Sequence, residues 1–366
     1  MNYLWKLLVV TVLFVQCQST IQSTQELSVA PNKAKFEPED GKVLLFVGQE
    51  LDAIGGLDDY NDGYLDHFDP PAGFTMYTKI RPGDESYGFT ISGLSGVVTT
   101  DDWGDGDSNM QMQIDDEDYA NMALAIGLEL VNHEIDIAAG KQDSLVIALG
   151  KWIKSLGDRP VFLRTGYEFH GEWNHYDQQG FIDAYRRIKD TYDSMGIDNI
   201  AYVWQSHGFG EPLELLESWY PGDDYVDWCG FSFFNMSRDQ NMVEFARSKG
   251  KPVFIAEATP TLTDEANGGT IELILSNPDQ AEVAWQEWFV PFFKLIDDNP
   301  ETIKAISYIN ANWLSRPMWK ENPTFMGVDA RLHTNEDIMT KWQEVIGQDK
   351  YIKSDPNLFD YLKGKE

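Results

Sequence analysis

The segment Val253-Phe254-Ile255-Ala256-Glu257-Ala258-Thr259 is an apolar run that opens onto a carboxylate. Its first four residues carry no polar side chain, so as a strand it must be covered on both faces. That is the condition of a parallel strand inside an α/β fold. Seven further runs of similar character lie at 43–49, 74–80, 122–130, 161–169, 200–206, 228–234 and 303–310. Between them fall helix candidates at 143–156, 179–195, 241–249, 279–297 and 335–346, the fourth starting after Asn277-Pro278 and carrying a broad apolar face. Eight strands alternating with helices predict a (β/α)8 TIM barrel. No helix is legible after the first two strands, where 58–69 and 99–118 read as acidic, Gly-rich loops. An open doubly wound sheet is the competing architecture, but no Gly-rich phosphate turn follows the first strand.

The chain has 366 residues, of which 42% are apolar and 13% aromatic, enough for one large core. With 28 basic and 60 acidic residues the formal charge is −32, which repels phosphate backbones and anionic lipids. Nucleic acid is therefore not an expected partner, and neither is a membrane surface. Residues 1–20 read as a signal peptide, with Lys6 ahead of an apolar stretch at 7–15. The protein is expected to be secreted; the alternative is a surface lipoprotein anchored through Cys17. A polar linker at 21–40, a catalytic domain at 41–348 and a tail at 349–366 complete the division, and the chain is read as a monomer. Cys229, in an apolar run, reads as a buried inert thiol.

In a barrel of this kind the chemistry sits at the C-terminal ends of the strands. Strand four ends in Arg164-Thr165-Gly166-Tyr167-Glu168-Phe169-His170, and strand seven ends on Glu257. Two carboxylates facing each other across a barrel mouth, about 5–5.5 Å apart, are what a retaining glycosidase needs. Glu257 and Glu168 are the catalytic candidates; Glu172, four residues on, reads as a loop contact. Aromatic residues at or just after strand ends, among them Trp173, Trp204, Trp219, Phe233, Trp313 and Trp319, suit the apolar faces of sugar rings, while Gln205, Asn310, Asn312 and His207 could meet hydroxyls. The six histidines are scattered, so no metal and no cofactor are expected. The spacing of Asp101, Asp105, Asp107 and Asn109 could hold calcium, but reads as a solvated acidic loop. Asn235-Met236-Ser237 fits a glycosylation acceptor and is read as unused beside a cleft.

The strand-four segment, Val203-Trp204-Gln205-Ser206, the stretch 219–227 and Lys251-Pro252-Val253-Phe254-Ile255-Ala256-Glu257 together resemble glycoside hydrolase family 26. That is a clan A barrel family of endo-β-mannanases and β-1,3-xylanases, and the resemblance spans about residues 120–345. It implies Glu168 as acid/base and Glu257 as nucleophile. It also implies His133, after strand three, as a counterpart of a substrate-contacting histidine. Mannanases of the family usually carry His immediately before the acid/base, where this chain has Tyr167, and many carry Tyr near the end of strand six, where it has Phe233-Phe234-Asn235. The expected activity is thus a secreted retaining endo-β-glycanase acting on a polysaccharide of the mannan or β-1,3-xylan type. An algal galactan such as carrageenan is the alternative substrate, with Arg164, Arg316 and Arg331 as a conceivable cluster for sulfate. A barrel that binds carbohydrate without turnover is the alternative function.

Overall fold

The computed structural model describes residues 33–365 apart from 87–88, 236–239, 265–268, 321 and 323–324. The segment read as a signal peptide, most of the stretch read as a linker and part of the sequon at 235–237 lie outside the described residues. Eight parallel strands are β1 (Val43–Gly48), β2 (Gly73–Lys79), β3 (Ala123–Glu129), β4 (Val161–Thr165), β5 (Ile200–Ser206), β6 (Trp228–Phe233), β7 (Val253–Ala258) and β8 (Ile303–Ile309). They pair in chain order, and β8 closes on β1 from Leu44↔Ala305 to Gly48↔Ile309. The fold is the (β/α)8 barrel, with Asp143–Ser155, Gln178–Ser194, Leu213–Trp219, Gln240–Lys249 and Glu336–Ile346 among the covering helices. Among the described residues, the loops after β1 and β2 hold short helical turns, two small hairpins (Asp84–Ser86 with Phe89–Ile91 and Asp101–Asp102 with Asp107–Ser108) and the helix Met110–Asp115.

Every residue of the eight strands is buried, as strands covered on both faces require. The two faces carry different loads because side chains alternate along a strand. Leu44, Phe46, Ala125, Phe162, Val203, Phe254 and Ala305 fill the lumen, where Phe36, Leu358 and Leu362 join them. Leu45, Phe74, Leu163, Trp204, Phe231, Ile255 and Ile306 form the second core, between barrel and helices. Residues beyond 348, read from sequence as a tail apart from the domain, belong to the same packing: Tyr351–Ile352 (β9) adds to the edge of β1, and Leu358–Leu362 is the helix whose leucines reach the lumen cluster.

The helix candidate at 279–297 is continuous over 278–298 but includes a π-helical stretch, Trp285–Phe289, just before Pro291. Proline has no N–H and its ring clashes with the carbonyl four residues earlier, and the wider π turn relieves that clash without ending the helix. Its start is capped by Asn277, whose side chain accepts from Asp279 N at 3.1 Å.

Candidate active site

The inward alternation that fills the lumen with hydrocarbon continues upward into a polar layer. On β2 it brings Tyr77 in above Thr75, on β4 Arg164 above Phe162, on β5 Gln205 above Val203, and on β6 Ser232 above Gly230 and Trp228. On β7 strict alternation would turn Glu257 outward, because Phe254 and Ala256 already face the lumen. The register prevents this. Phe231 pairs with Ile255 but Ser232 pairs with Glu257, so Ala256 is bulged out of the ladder and Glu257 is re-aimed inward. Glu168 arrives differently, beyond the end of β4. Gly166 and Glu168 both adopt left-handed backbone, with φ of 58° and 54°. A side chain on Gly166 would strike the Phe181 ring, and the positive φ at Glu168 is strain held by its surroundings, a common mark of functional positions.

The two carboxylates share one hydroxyl. Ser232 Oγ lies 2.7 Å from Glu168 Oε1 and 2.9 Å from Glu257 Oε2, so those oxygens are no farther apart than the sum of these legs. Gln205 Nε2 donates to Ser232 Oγ at 3.0 Å and reaches Glu257 Oε2 at 3.5 Å. On its other oxygen Glu257 accepts from Tyr77 OH and, at 2.5 Å, from Arg164 Nη2. Arg164 is fully buried, donates from Nε to Gln205 Oε1 at 2.7 Å, and has the rings of Tyr77 and Tyr167 each 5.2 Å away. Burial works against its charge, but Tyr77 and Glu257 more than offset this and hold it protonated.

Among the described residues, Glu168 has no cation partner of this kind. Its Oε2 accepts from Trp173 Nε1 at 2.9 Å. Burial, and then the neighbouring charge of Glu257, push its carboxyl up to about 8. Glu257 is ion-paired with Arg164, whereas Glu168, so raised, keeps a proton at neutral pH. As pH rises through about 8, Glu168 loses that proton. If it is the general acid, the alkaline limb of kcat/KM is expected near that value. In Glu257→Gln the neighbouring charge is gone, so Glu168 is expected to titrate lower; a 13C-detected carboxyl titration checks this.

Both acids open into a cleft of about 520 Å³. Trp173, His207 and Phe209 line it near Glu168, Trp313, Trp319 and Phe325 line it from the segment after β8, and Lys79, Trp103 and Asp105 add a polar wall. Glu129 ties that wall together, bonding Lys79 at 2.6 Å and also Arg81.

The structure sorts the binding residues read from sequence. Trp173 and Trp313 line the cleft, Trp173 about half exposed. Gln205 lies just beneath it, within the carboxylate network. Four expectations are corrected. Trp204 is fully buried on the outward face of β5, stacked on Phe169 at 4.4 Å; Phe233 packs outward against Trp288 and Phe292; and Asn310 is spent internally, donating to Ala53 O and accepting from Leu332 N. His133 sits at the N-cap of Glu134–Ala138 and does not line the cleft, whereas its neighbours Val131 and Asn132 do. Trp219 packs on Phe169 and Phe181.

Other readings change too. The three arginines form no joint anion site: Arg164 pairs with Glu257, Arg316 with Asp52 and Glu50, and Arg331 with Asp329. Four of the six histidines meet in space: His170 stacks on His207 and His67 on His333, each pair with centroids 4.0 Å apart. Each pair has a carboxylate beside it, Glu211 and Asp62 respectively. In the acidic loop, Asp105 turns inward to the cleft and accepts from Gln49 at 3.3 Å, Asp107 accepts from Tyr60 OH, and Asn109 caps a helix. Tyr77 and Ser232 were not singled out from sequence. Counting alternate positions back from Gln205 and forward from Trp228 would have placed Ser232 inside and rejected Trp204 and Phe233. We expect Trp204→Ala to cost about 3–5 kcal/mol of stability in urea unfolding, the penalty of a core aromatic, with KM little changed.

An eight-stranded barrel with two acids at the C-terminal ends of β4 and β7 defines a glycoside hydrolase of the two-carboxylate class. The chain belongs to glycosyl hydrolase family 26: the sequence profile of that family matches residues 130–314, and two relatives match well beyond them. It is 32% identical to the β-1,3-xylanase TXYA of a Vibrio species, over 90% of this chain and 69% of that one. It is 31% identical to a β-1,3-xylanase of an Alcaligenes species, over 90% and 68%. Among solved structures, the family 26 β-mannanase BoMan26A of Bacteroides ovatus superposes with a TM-score of 0.56 at 14% identity, covering 87% of this chain and 92% of that one. GH26C from Muricauda sp. MAR_2010_75 does so with 0.55 at 12% identity, over 87% and 89%. At such identities these two speak for the fold.

Proposed function

We propose that the protein is a retaining endo-β-1,3-xylanase in which Glu257 attacks the anomeric carbon and Glu168 serves as acid and then base. The observation that carries this reading is the Ser232 bridge. It holds the two carboxylates at a separation that suits a covalent glycosyl-enzyme, with no room for a water on the far side of the sugar. In the first step the Glu257 carboxylate bonds to C1 as the glycosidic bond breaks, and the Glu168 proton passes to the leaving oxygen. In the second, Glu168 takes a proton from water as its oxygen bonds to C1 and the ester to Glu257 breaks.

The sugar is inferred from the two β-1,3-xylanase relatives and from Tyr167. This ring lies edge-on to Tyr77 in the cleft, offering an apolar surface where mannanases of the family usually offer imidazole nitrogens. Aromatic rings along the cleft favour several sugars bound in a row, hence internal cutting. Among the described residues, the buried indole N–H groups of Trp313 and Trp319 have no acceptor, and a sugar hydroxyl would supply one. A polymer of this size cannot enter a cell, so we place the enzyme outside it, in keeping with the apolar run at 7–15 and the charge of −32.

The test is product release from β-1,3-xylan, mannan, glucomannan, β-glucan and carrageenans, with Glu257→Gln as control. Xylo-oligosaccharides appearing first as β-anomers by NMR are the expected result. Initial α-anomers would overturn the retaining mechanism, and release from mannan or carrageenan alone would overturn the substrate. Silence across the panel with retention on a glycan affinity gel would favour a binding protein without turnover.

A further inference from the structure

Ser232 Oγ carries one hydrogen, yet it lies within hydrogen-bond distance of both catalytic carboxyl groups and receives a third contact from Gln205 Nε2. The amide can only donate there, because its Oε1 is already turned to Arg164 Nε. Two arrangements remain. With both acids ionised, the single hydroxyl proton serves one carboxylate and the other faces an oxygen lone pair. With Glu168 neutral, every partner is satisfied: Glu168 donates to Ser232 Oγ, Ser232 donates to Glu257, and Gln205 fills the remaining lone pair. Ser232 is fully buried, so no solvent repairs the first arrangement.

We propose that Ser232 is a positioning residue whose one proton follows the negative charge from Glu257 to Glu168 between the two halves of the reaction. This rests on the retaining reading above. In the resting enzyme the hydroxyl points at Glu257 and accepts from Glu168, stabilising the singly protonated pair. Once Glu257 is esterified it no longer bears charge, while Glu168, having given its proton to the leaving group, does. A rotation about the Cβ–Oγ bond then aims the same hydrogen at Glu168 Oε1, which lies 2.7 Å away. No atom is transferred in this turn; only the direction of one O–H changes. The base that must activate water is thereby held in place during the second step, and the proton returns to its first direction when the ester is cleaved.

The measurement is the pH profile of kcat/KM for Ser232→Ala, with Ser232→Thr, which keeps a hydroxyl, as the conservative partner. Removing the hydroxyl takes two hydrogen bonds from the singly protonated pair and only one from the doubly ionised pair. The alkaline limb is therefore expected to move down by roughly one pH unit, and kcat to fall roughly 10–100-fold, the worth of a hydrogen bond to a charged group. Ser232→Thr should restore both. A hydroxyl that merely donated to the Glu168 carboxylate would act the other way, so an upward shift of the limb overturns the proposal, as does an unmoved limb.

Should Ser232→Ala not fold, the wild-type enzyme still decides. In the ester trapped with a 2-deoxy-2-fluoro xyloside, infrared difference spectra should show the Glu168 carboxylate acquiring a hydrogen bond that Glu257 loses. A Glu257 ester carbonyl that still carries the Ser232 hydrogen bond, or a Glu168 carboxylate that lacks it, would reject the switch. Failure to trap any ester would instead reject the retaining reading on which it rests.

Discussion

Replacing Glu257 by glutamine is expected to lower kcat on β-1,3-xylan by a factor on the order of 10⁵, the scale lost when a covalent nucleophile is removed. Glutamine is the informative choice because of what Glu257 does for the fold. From sequence alone the residue is an acid at a strand end that could be truncated without harm to folding. In the structure it is the anionic partner of the fully buried Arg164 and the acceptor for Tyr77 OH. Alanine would leave that guanidinium uncompensated, at a cost of about 3–5 kcal/mol. The amide keeps an acceptor oxygen and the shape. Glu257→Gln should therefore unfold nearer to the wild type than Glu257→Ala in denaturant titration, while both are inactive. Full activity in a folded Glu257→Gln protein would remove Glu257 from the chemistry.

The second large effect concerns Glu168. Glu168→Ala should reduce hydrolysis of the polymer by about 10³–10⁴-fold, because a sugar alkoxide leaves poorly without protonation. An aryl xyloside with an acidic phenol needs no such help, so its first step should be nearly spared. A burst of phenol followed by slow turnover is the expected time course. Azide added to this variant should attack C1 from the face that water uses, breaking the bond to Glu257 and giving a β-glycosyl azide without a general base. An α-azide would place the nucleophile at Glu168 and reverse the two roles. Glu172, exposed beyond the turn, should tolerate alanine with little change in either assay.

The strength of these expectations comes from the asymmetry between two chemically identical side chains. Glu257 sits in the polar layer capping the barrel lumen, against Arg164 and Tyr77, while Glu168 sits above it against Trp173 and Ser232. One environment supplies a fixed positive charge and the other does not, so the single proton has a preferred home. The conformational strain at Glu168 and the bulge before Glu257 serve the same end, since each bends the chain locally to bring a carboxyl group to the axis of the cleft.

The sequence by itself determined the barrel, because eight largely apolar runs, several of them uninterrupted, can be buried only when both faces of every strand are covered. It also singled out the two acids that the structure brings together, since each interrupts or follows such a run where a strand opens. What it left undecided was which neighbours face them. Trp204 and Phe233 look like sugar platforms when only their nearness to a strand end is considered. Pleat parity sends them outward into the helix layer, and Ser232 and Gln205 inward beside the acids. Parity fails for Glu257, where a one-residue bulge resets it, and pairing with a neighbouring strand decides that feature. The partners Tyr77, Arg164 and Ser232 come from three different strands, and His170 meets His207 across two loops. Contacts of that kind are set by closure of the barrel, and it is closure that brings two acids 89 positions apart to a single hydroxyl.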